Sequence, residues 1–370
     1  MPHAPTAVAR TDHARPDGLP FPARGPLSRA VLQRLVGGED LEYASWDELV
    51  DQAVSGSRSI AEDEDIQLAL FALYASAYGS IPEFSAELEW EPQLLRVRRS
   101  LEAAFEAELR TAVPMPELPE PNADAVARAL FALTGADSGP SVSRYLAKKA
   151  TAEQAREFLI QRSIYTLREA DPHSWAIPRL HGRPKAALVE IQSDEYGGGR
   201  PERVHATLFA AAMRGAGLDD RYGAYLDAAP AATLASLNTM SMFGLNRRLL
   251  GAIVGHLAAF EMTSSIPSRL VGDGLKRLGF GPEVTDYFDE HVEADAVHEQ
   301  IAARDLAGAL AEDHPELLPD IIFGAAACLA VDGWMGRHQF DAWTAGGSSL
   351  RAGATGAGAS AGAEPVGADA

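Results

Sequence analysis

The 370-residue chain contains a single cysteine, Cys328, which excludes an internal disulfide framework and any thiolate-rich metal site. Cys328 lies in the apolar run IIFGAAACLAV and reads as a small core residue. Positive charge is also scarce: 32 Lys and Arg face 52 Asp and Glu, a formal net charge of −20. That balance argues against nucleic acid and anionic membrane as partners, since both attract a basic face. No apolar stretch runs for the roughly 18–20 residues of a membrane span without a charged interruption. The first 26 residues, MPHAPTAVARTDHARPDGLPFPARGP, lack the apolar segment of a secretory signal, so a cytoplasmic protein is expected. Sustained alternation of apolar and polar residues is missing, as are internal repeats, which speaks against a β fold.

What is present reads as helix. Hydrophobic content of 46% and charged content of 23% are ordinary for a globular protein. Apolar residues recur at helical spacing over 27–36, 46–54, 66–78, 92–113 and 123–133. Thr151, followed by Glu153 and Gln154, starts a further helix to about Glu169. Later segments lie near 184–195, 201–215, 230–242, 246–264, 282–312 and 316–343, punctuated by Pro178, Gly197–Gly199, Pro267, Gly281 and Pro315. The expected fold class is all-α. Residues 1–26 and the Gly/Ala-rich residues 345–370 are expected to be disordered tails. Between them lie an N-terminal helical region, 27–150, and a helical bundle, 151–344, that carries the chemistry.

The bundle's most informative motif is His291-x3-Asp295-x2-His298. Positions i, i+4 and i+7 of a helix share one stripe, and two imidazoles with a carboxylate on one stripe suit a first-row transition metal. The plain alternative is a solvated polar face, because Glu290, Glu293 and Glu299 are close by. From Leu249 to Ile266 the only ionisable side chains are His256 and Glu261. A helix apolar nearly all round is buried, so Glu261 must be neutralised, paired with an arginine such as Arg179 or Arg269, or bound to a metal. In EIQSDEYGGGRPERVH, Glu190, Asp194, Glu195, Glu202 and His205 crowd one stretch that three glycines interrupt. Glu202-x2-His205 also matches the Glu-x-x-His pair of ferritin-like diiron bundles, so Glu195 and Glu202 remain rival ligands. Glu169 ends its helix ahead of Asp171-Pro172 and reads most simply as a polar terminus. Counting Glu169, Glu195, His205, Glu261, His291, Asp295 and His298, the candidate ligands exceed the four of one tetrahedral zinc and suit two ions sharing carboxylates. The absence of thiolate favours iron or manganese.

Taken in order, EADPHSW…IPRL, EIQSDEYGGGRPERVH, AAFEMTSSIPSR and HVEADAVH resemble the haem-oxygenase-like diiron oxidase/oxygenase family of iron-containing redox enzymes, over about residues 155–345. The resemblance implies a haem-oxygenase-like helical bundle holding two Fe ions with three His and four carboxylates. It chooses Glu195 over Glu202 and supplies Glu169 as the extra carboxylate, beside His205, Glu261, His291, Asp295 and His298. It further implies dioxygen as co-substrate, activated by two Fe(II), and oxidation of an amine, guanidine, amino-acid or fatty-acid-type small molecule in natural-product biosynthesis. Residues 27–150 fall outside it and are expected to act as a dimerisation or auxiliary element.

Two rival classes accompany this reading: a haem-binding oxygenase of the same fold, and a non-catalytic helical interaction protein. The expected partners are a small-molecule substrate, an electron donor and a second copy of the chain, with no nucleic acid and no membrane. Arg179, Arg269 and Arg337 are candidate anchors for a substrate carboxylate. Leu208, Phe209, Met240, Met242, Phe243 and Phe260 are candidates for an apolar wall beside the metals. His173, His181, His256 and His338 read as ordinary polar or core histidines.

Overall fold

The structure is a computed structural model and describes residues 17–136 and 139–352, less the side chains of 293–297. Helices α1 (Pro26–Leu35), α2 (Tyr43–Gly56), α3 (Glu64–Tyr78), α4 (Pro92–Ala112), α5 (Ala123–Gly135) and α6 (Val142–Lys148) precede residue 150. They are followed by α7 (Ala152–Thr166), α8 (Asp171–Ser174), α9 (Gly182–Glu195), α10 (His205–Gly215) and α11 (Ala231–Leu245). The chain then forms α12 (Leu250–Met262), α13 (Ser265–Arg277), α14 (Pro282–Gln300), α15 (Ala309–Asp313) and α16 (Leu318–Thr344). No strand occurs among the described residues, as the sequence indicated.

Local signals explain several boundaries. Asp63 caps α3 by accepting from the amides of Asp65 and Ile66, and Gly79 ends that helix in the left-handed region at φ 62°. Thr151 and Gln154 form a reciprocal capping box at the start of α7. Three helices escape the periodicity reading, the single turn of α8 among them. Helix α6 is only two turns long, and α13 contains Pro267, which a helix tolerates in its first turn because the missing N–H has no intrahelical partner there. The two pack on each other, Arg277 of α13 donating to the carbonyls of Leu146 and Ala150 at 2.9 and 2.8 Å. The expected helix over 282–312 is not uniform either: after α14 the chain runs through a π-helical segment, Ile301–Gly308, before α15.

One extensive apolar core includes Leu32, Phe71 and Phe105 from the first helices together with Phe243, Leu257 and Phe323 from the later ones. A smaller core gathers Leu159, Phe209, Met213, Tyr287, Phe288 and Trp343. Helix α12 is apolar on every face because neighbours surround it: Gly251 to Ala259 are all buried. Its approach to α16 is at backbone range. A Cβ at Gly255 would collide with the Ile321 carbonyl, and one at Gly324 with that of Ala252. Helix α16 is long and apolar enough to cross a membrane, yet 56% of its most apolar window is buried inside the fold.

The expectation of disordered tails meets a difference at their inner ends. Leu19 and Phe21 are 3% and 6% exposed, and Arg24 donates to Glu64 and to the carbonyls of Leu226 and Ala229. Ser349 is fully buried, with its hydroxyl and amide directed at Glu157. These contacts depend on distant segments, which a local composition argument does not register. Residues 1–16 and 353–370 lie outside the described residues.

Candidate metal centre

Five separate segments bring six of the seven sequence-selected residues to one place. Glu169 follows α7, Glu195 ends α9, His205 begins α10, Glu261 lies near the end of α12, and His291 and His298 stand two turns apart on α14. All six are buried, the three carboxylates each at 6% exposure. Their donor atoms fall into two groups, Glu169–Glu195–His205–His291 and Glu195–Glu261–His298, within each of which all atoms lie within 4.8 Å of one another. Glu195 belongs to both. The seventh, Asp295, has a side chain outside the described residues. Glu202 is exposed on a 3₁₀ turn, Pro201–Arg203, and belongs to neither group.

The triple glycine explains how Glu195 and His205 meet. Gly197, Gly198 and Gly199 take φ of 79°, 57° and 82°, three successive left-handed residues that side chains would strain. At Gly197 a Cβ would also stand 2.7 Å from the Val204 nitrogen. The turn folds the chain back so that His205 Nδ1 lies 2.9 Å from Glu195 Oε2. On the other side, Ala170 holds φ 71°, unusual for a residue with a side chain, and its carbonyl is fixed by Gln192 Nε2 at 2.9 Å. That sharp turn directs Glu169 inward.

Outer contacts orient the imidazoles. His291 Nδ1 lies 2.8 Å from the Tyr287 carbonyl one turn earlier, which fixes the proton there and leaves Nε2 facing Glu169 Oε1 at 3.7 Å. His298 Nε2 lies 3.1 Å from Asp194, and its Nδ1 is 3.4 Å from Glu261 Oε2. Each ring thus turns one nitrogen outward and one toward the carboxylates, the usual arrangement of ligating histidines. Tyr287 places its hydroxyl 2.9 Å from both Glu169 oxygens. Burial, with Glu169 beside it, pushes the phenol's pKa well up and keeps its proton available for donation.

The electrostatics point the same way. Burial works to raise the Glu195 pKa, but His205, His291 and His298 outweigh it and hold the carboxyl below its ordinary value. Burial opposes a charge on His298, yet Glu261 and Asp194 bring its pKa up to about 9. Among the described residues no arginine or lysine forms an ion pair with Glu169 or Glu195. The buried His205 Nδ1 has no partner in hydrogen-bond geometry although Glu195 faces it. Two electron-pair donors that face each other in the dry interior fit a cation held between them. Buried oxygen and nitrogen donors without thiolate are compatible with iron.

A cavity of about 20 Å³ adjoins the cluster, bounded by Glu169, Glu195, Glu261 and His291 and by Tyr165, His173, Leu257 and Phe260. Of the six apolar residues expected to form its wall, Phe260 does so. Met240 faces a neighbouring cavity that Phe260 also lines, and Leu208, Phe209, Met242 and Phe243 are buried core. Arg269 and Arg337 do not line the metal-side cavity. Arg179 donates to the carbonyls of Gly244 and Leu245 instead of pairing with Glu261. His173 and His256 form a buried pair, Nε2 to Nδ1 at 3.2 Å, in keeping with their reading as core histidines. The sequence reading did not single out Tyr287. Its signal was the i, i+4 spacing to His291 on the same stripe.

Residues 156–333 match the sequence model of a family described as iron-containing redox enzyme. The chain is also similar to a nitrosourea synthase of Streptomyces achromogenes subsp. streptozoticus, with 29% identity over 203 residues. That similarity spans 54% of this chain and 43% of the relative.

Proposed function

We propose that this chain, whose residues 156–333 belong to the iron-containing redox enzyme family, is a cytoplasmic diiron oxidase or oxygenase that uses dioxygen to oxidise an amine or amino acid. The observation that carries this reading is the place of Glu195 in both buried donor groups, where it would be shared by two ions. Glu169, His205 and His291 would complete the first site. Glu261 and His298 belong to the second, where Asp295 is the further ligand expected from the motif. When bound, two ferrous ions would supply electrons to dioxygen.

The protein's own part is positioning and exclusion. Tyr287 holds Glu169, the Tyr287 carbonyl keeps His291 in the tautomer that turns a bare Nε2 toward Glu169, and Asp194 orients His298 so that its Nδ1 faces Glu261. Burial of all six residues keeps bulk water from the reacting atoms. Three carboxylates, with Asp295 a fourth, would balance the charge of two divalent ions. The relative's name, nitrosourea synthase, supports oxidation at nitrogen over carbon–carbon cleavage.

Anaerobic loading with Fe(II), followed by metal analysis and absorbance, tests the reading. Two irons per chain with oxygen uptake are expected. A Soret band after haem addition would favour the haem-binding alternative, and neither signal would leave a non-catalytic helical protein.

A further inference from the structure

Beside the metal-side cavity lies a second of about 20 Å³, lined by Arg162, Gln161, Thr233, Ser236, Met240 and Met335 among others. The two share a wall: Tyr165 and Phe260 line both, their rings meeting edge to face at 5.3 Å. Arg162 stands on α7 one turn before Tyr165 and two turns before Glu169. Its guanidinium carbon is 6.0 Å from the Phe260 ring centre. Among the described residues no acceptor hydrogen-bonds this guanidinium and no carboxylate pairs with it. Burial opposes its charge, but Tyr287, Asp332 and Glu169 act together to raise its pKa. Arg162 is partly buried, and its planar fork, left without an acceptor among the described residues, matches a carboxylate.

Opposite charge is held nearby and left uncombined. Asp332, on α16, accepts from Ser236 Oγ at 2.6 Å. It feels the charge of Arg162 but forms no ion pair with it or with another cation among the described residues. Burial raises the Asp332 carboxyl's pKa, against the pull of Ser236 and Arg162, and an ammonium group brought beside it would reverse that shift. Gln161 and Thr233 on the wall are bonded to each other at 2.6 Å, so the charge left unpaired here is Arg162 on the wall and Asp332 behind Ser236.

The geometry points to a subsite for the zwitterionic head of an α-amino acid, with Arg162 taking the carboxylate and Ser236, backed by the charge of Asp332, the ammonium. The side chain would extend past Tyr165 and Phe260 to the metal-side cavity. This rests on the proposed diiron reading, because it makes the metal side the place where the far end of the amino acid reacts. Neither cavity alone holds an amino acid, so the Phe260 ring must swing away from Tyr165 on binding, and the oxidised atom is one remote from the α-carbon.

The test is calorimetric titration of the iron-loaded full chain, without oxygen, with L-lysine, L-arginine and L-leucine. Each is compared with its methyl ester and with the acid lacking the α-amino group. At least one free amino acid should bind, and its ester at least about tenfold more weakly, the size of a lost charge-assisted pair. Arg162→Met should abolish the preference for acid over ester, and Arg162→Lys should restore part of it. Asp332→Asn should abolish the preference for the amino acid over its des-amino counterpart and leave the acid–ester preference in place. Iron content and far-UV circular dichroism of each variant report on folding. Equal binding of acid and ester by iron-loaded wild type, retention of the preference in Arg162→Met, or no binding by any of the three amino acids overturns the subsite. Acid-selective binding by wild-type protein that takes up no iron supports the subsite and counts against the diiron reading alone.

Discussion

Tyr287 and Glu169 are 118 positions apart in the chain, yet the tyrosine hydroxyl lies 2.9 Å from both oxygens of the carboxylate. Tyr287 also offers its carbonyl to His291 Nδ1. One residue therefore orients two candidate ligands, one through its side chain and one through its backbone. Tyr287→Phe removes only the first contact. Iron affinity is expected to fall by about 10–100-fold, the usual cost of losing an outer partner of a ligand, with secondary structure unchanged. Anaerobic Fe(II) titration of the variant measures this, and affinity equal to wild type would contradict the role.

Glu195 and Glu202 separate the proposed centre from its rival. Glu195→Ala is expected to abolish iron-dependent oxygen consumption and to lower bound iron. Glu202→Ala, at an exposed position, is expected to retain most of both. Oxygen-electrode rates with parallel metal analysis decide the matter, and equal losses would bring Glu202 into the centre.

The buried histidine pair makes stability depend on acid. Burial lowers the His256 pKa from 6.5 to about 3, and His173 is lowered well below its ordinary value by burial and by His256. The unfolded chain takes up protons on these rings near pH 6.5, whereas the folded chain does so only at far lower pH. The stabilisation is thus fully present above about pH 6.5 and is lost as pH falls toward about 3, by up to about 1.4 kcal/mol per pH unit for each ring. Urea denaturation at pH 7.5, 6 and 5 should show this loss, with a shallower dependence in His256→Leu.

The crossing of α12 and α16 should resist any added volume. Gly255→Val would drive a branched side chain into the Ile321 carbonyl, with an expected destabilisation of about 3 kcal/mol or more. Because α12 carries Glu261, iron uptake should fall with it. Thermal melting and metal content report the two effects, and a melting temperature within about 1 °C of wild type would show that the helices separate cheaply.

Much of the fold and of the centre was legible before any coordinates. Periodicity is a local property, and it placed α1 to α5, α7 and the later long helices, because their buried faces repeat every third or fourth residue. It failed at α6 and α8, which are too short to show a period, and at α13, where Pro267 looked like a break but occupies the one turn that tolerates it. The π-helical segment after α14 leaves no mark in an apolar pattern averaged over several turns.

By itself the sequence determined that the chain is helical, that Glu261 is a lone carboxylate in an apolar segment, and that His291 and His298 share a helix stripe. Each is settled within a few turns of chain. The tertiary structure decided what depends on distances across the bundle: that Glu195 enters both donor groups while Glu202 stays at the surface, and that Tyr287 supports Glu169. It likewise left Arg162 on a cavity wall with Asp332 close by, behind Ser236, and the two unpaired. Burial is a property of the assembled helices, and a charged side chain acquires its meaning there only from the partners that packing grants or withholds.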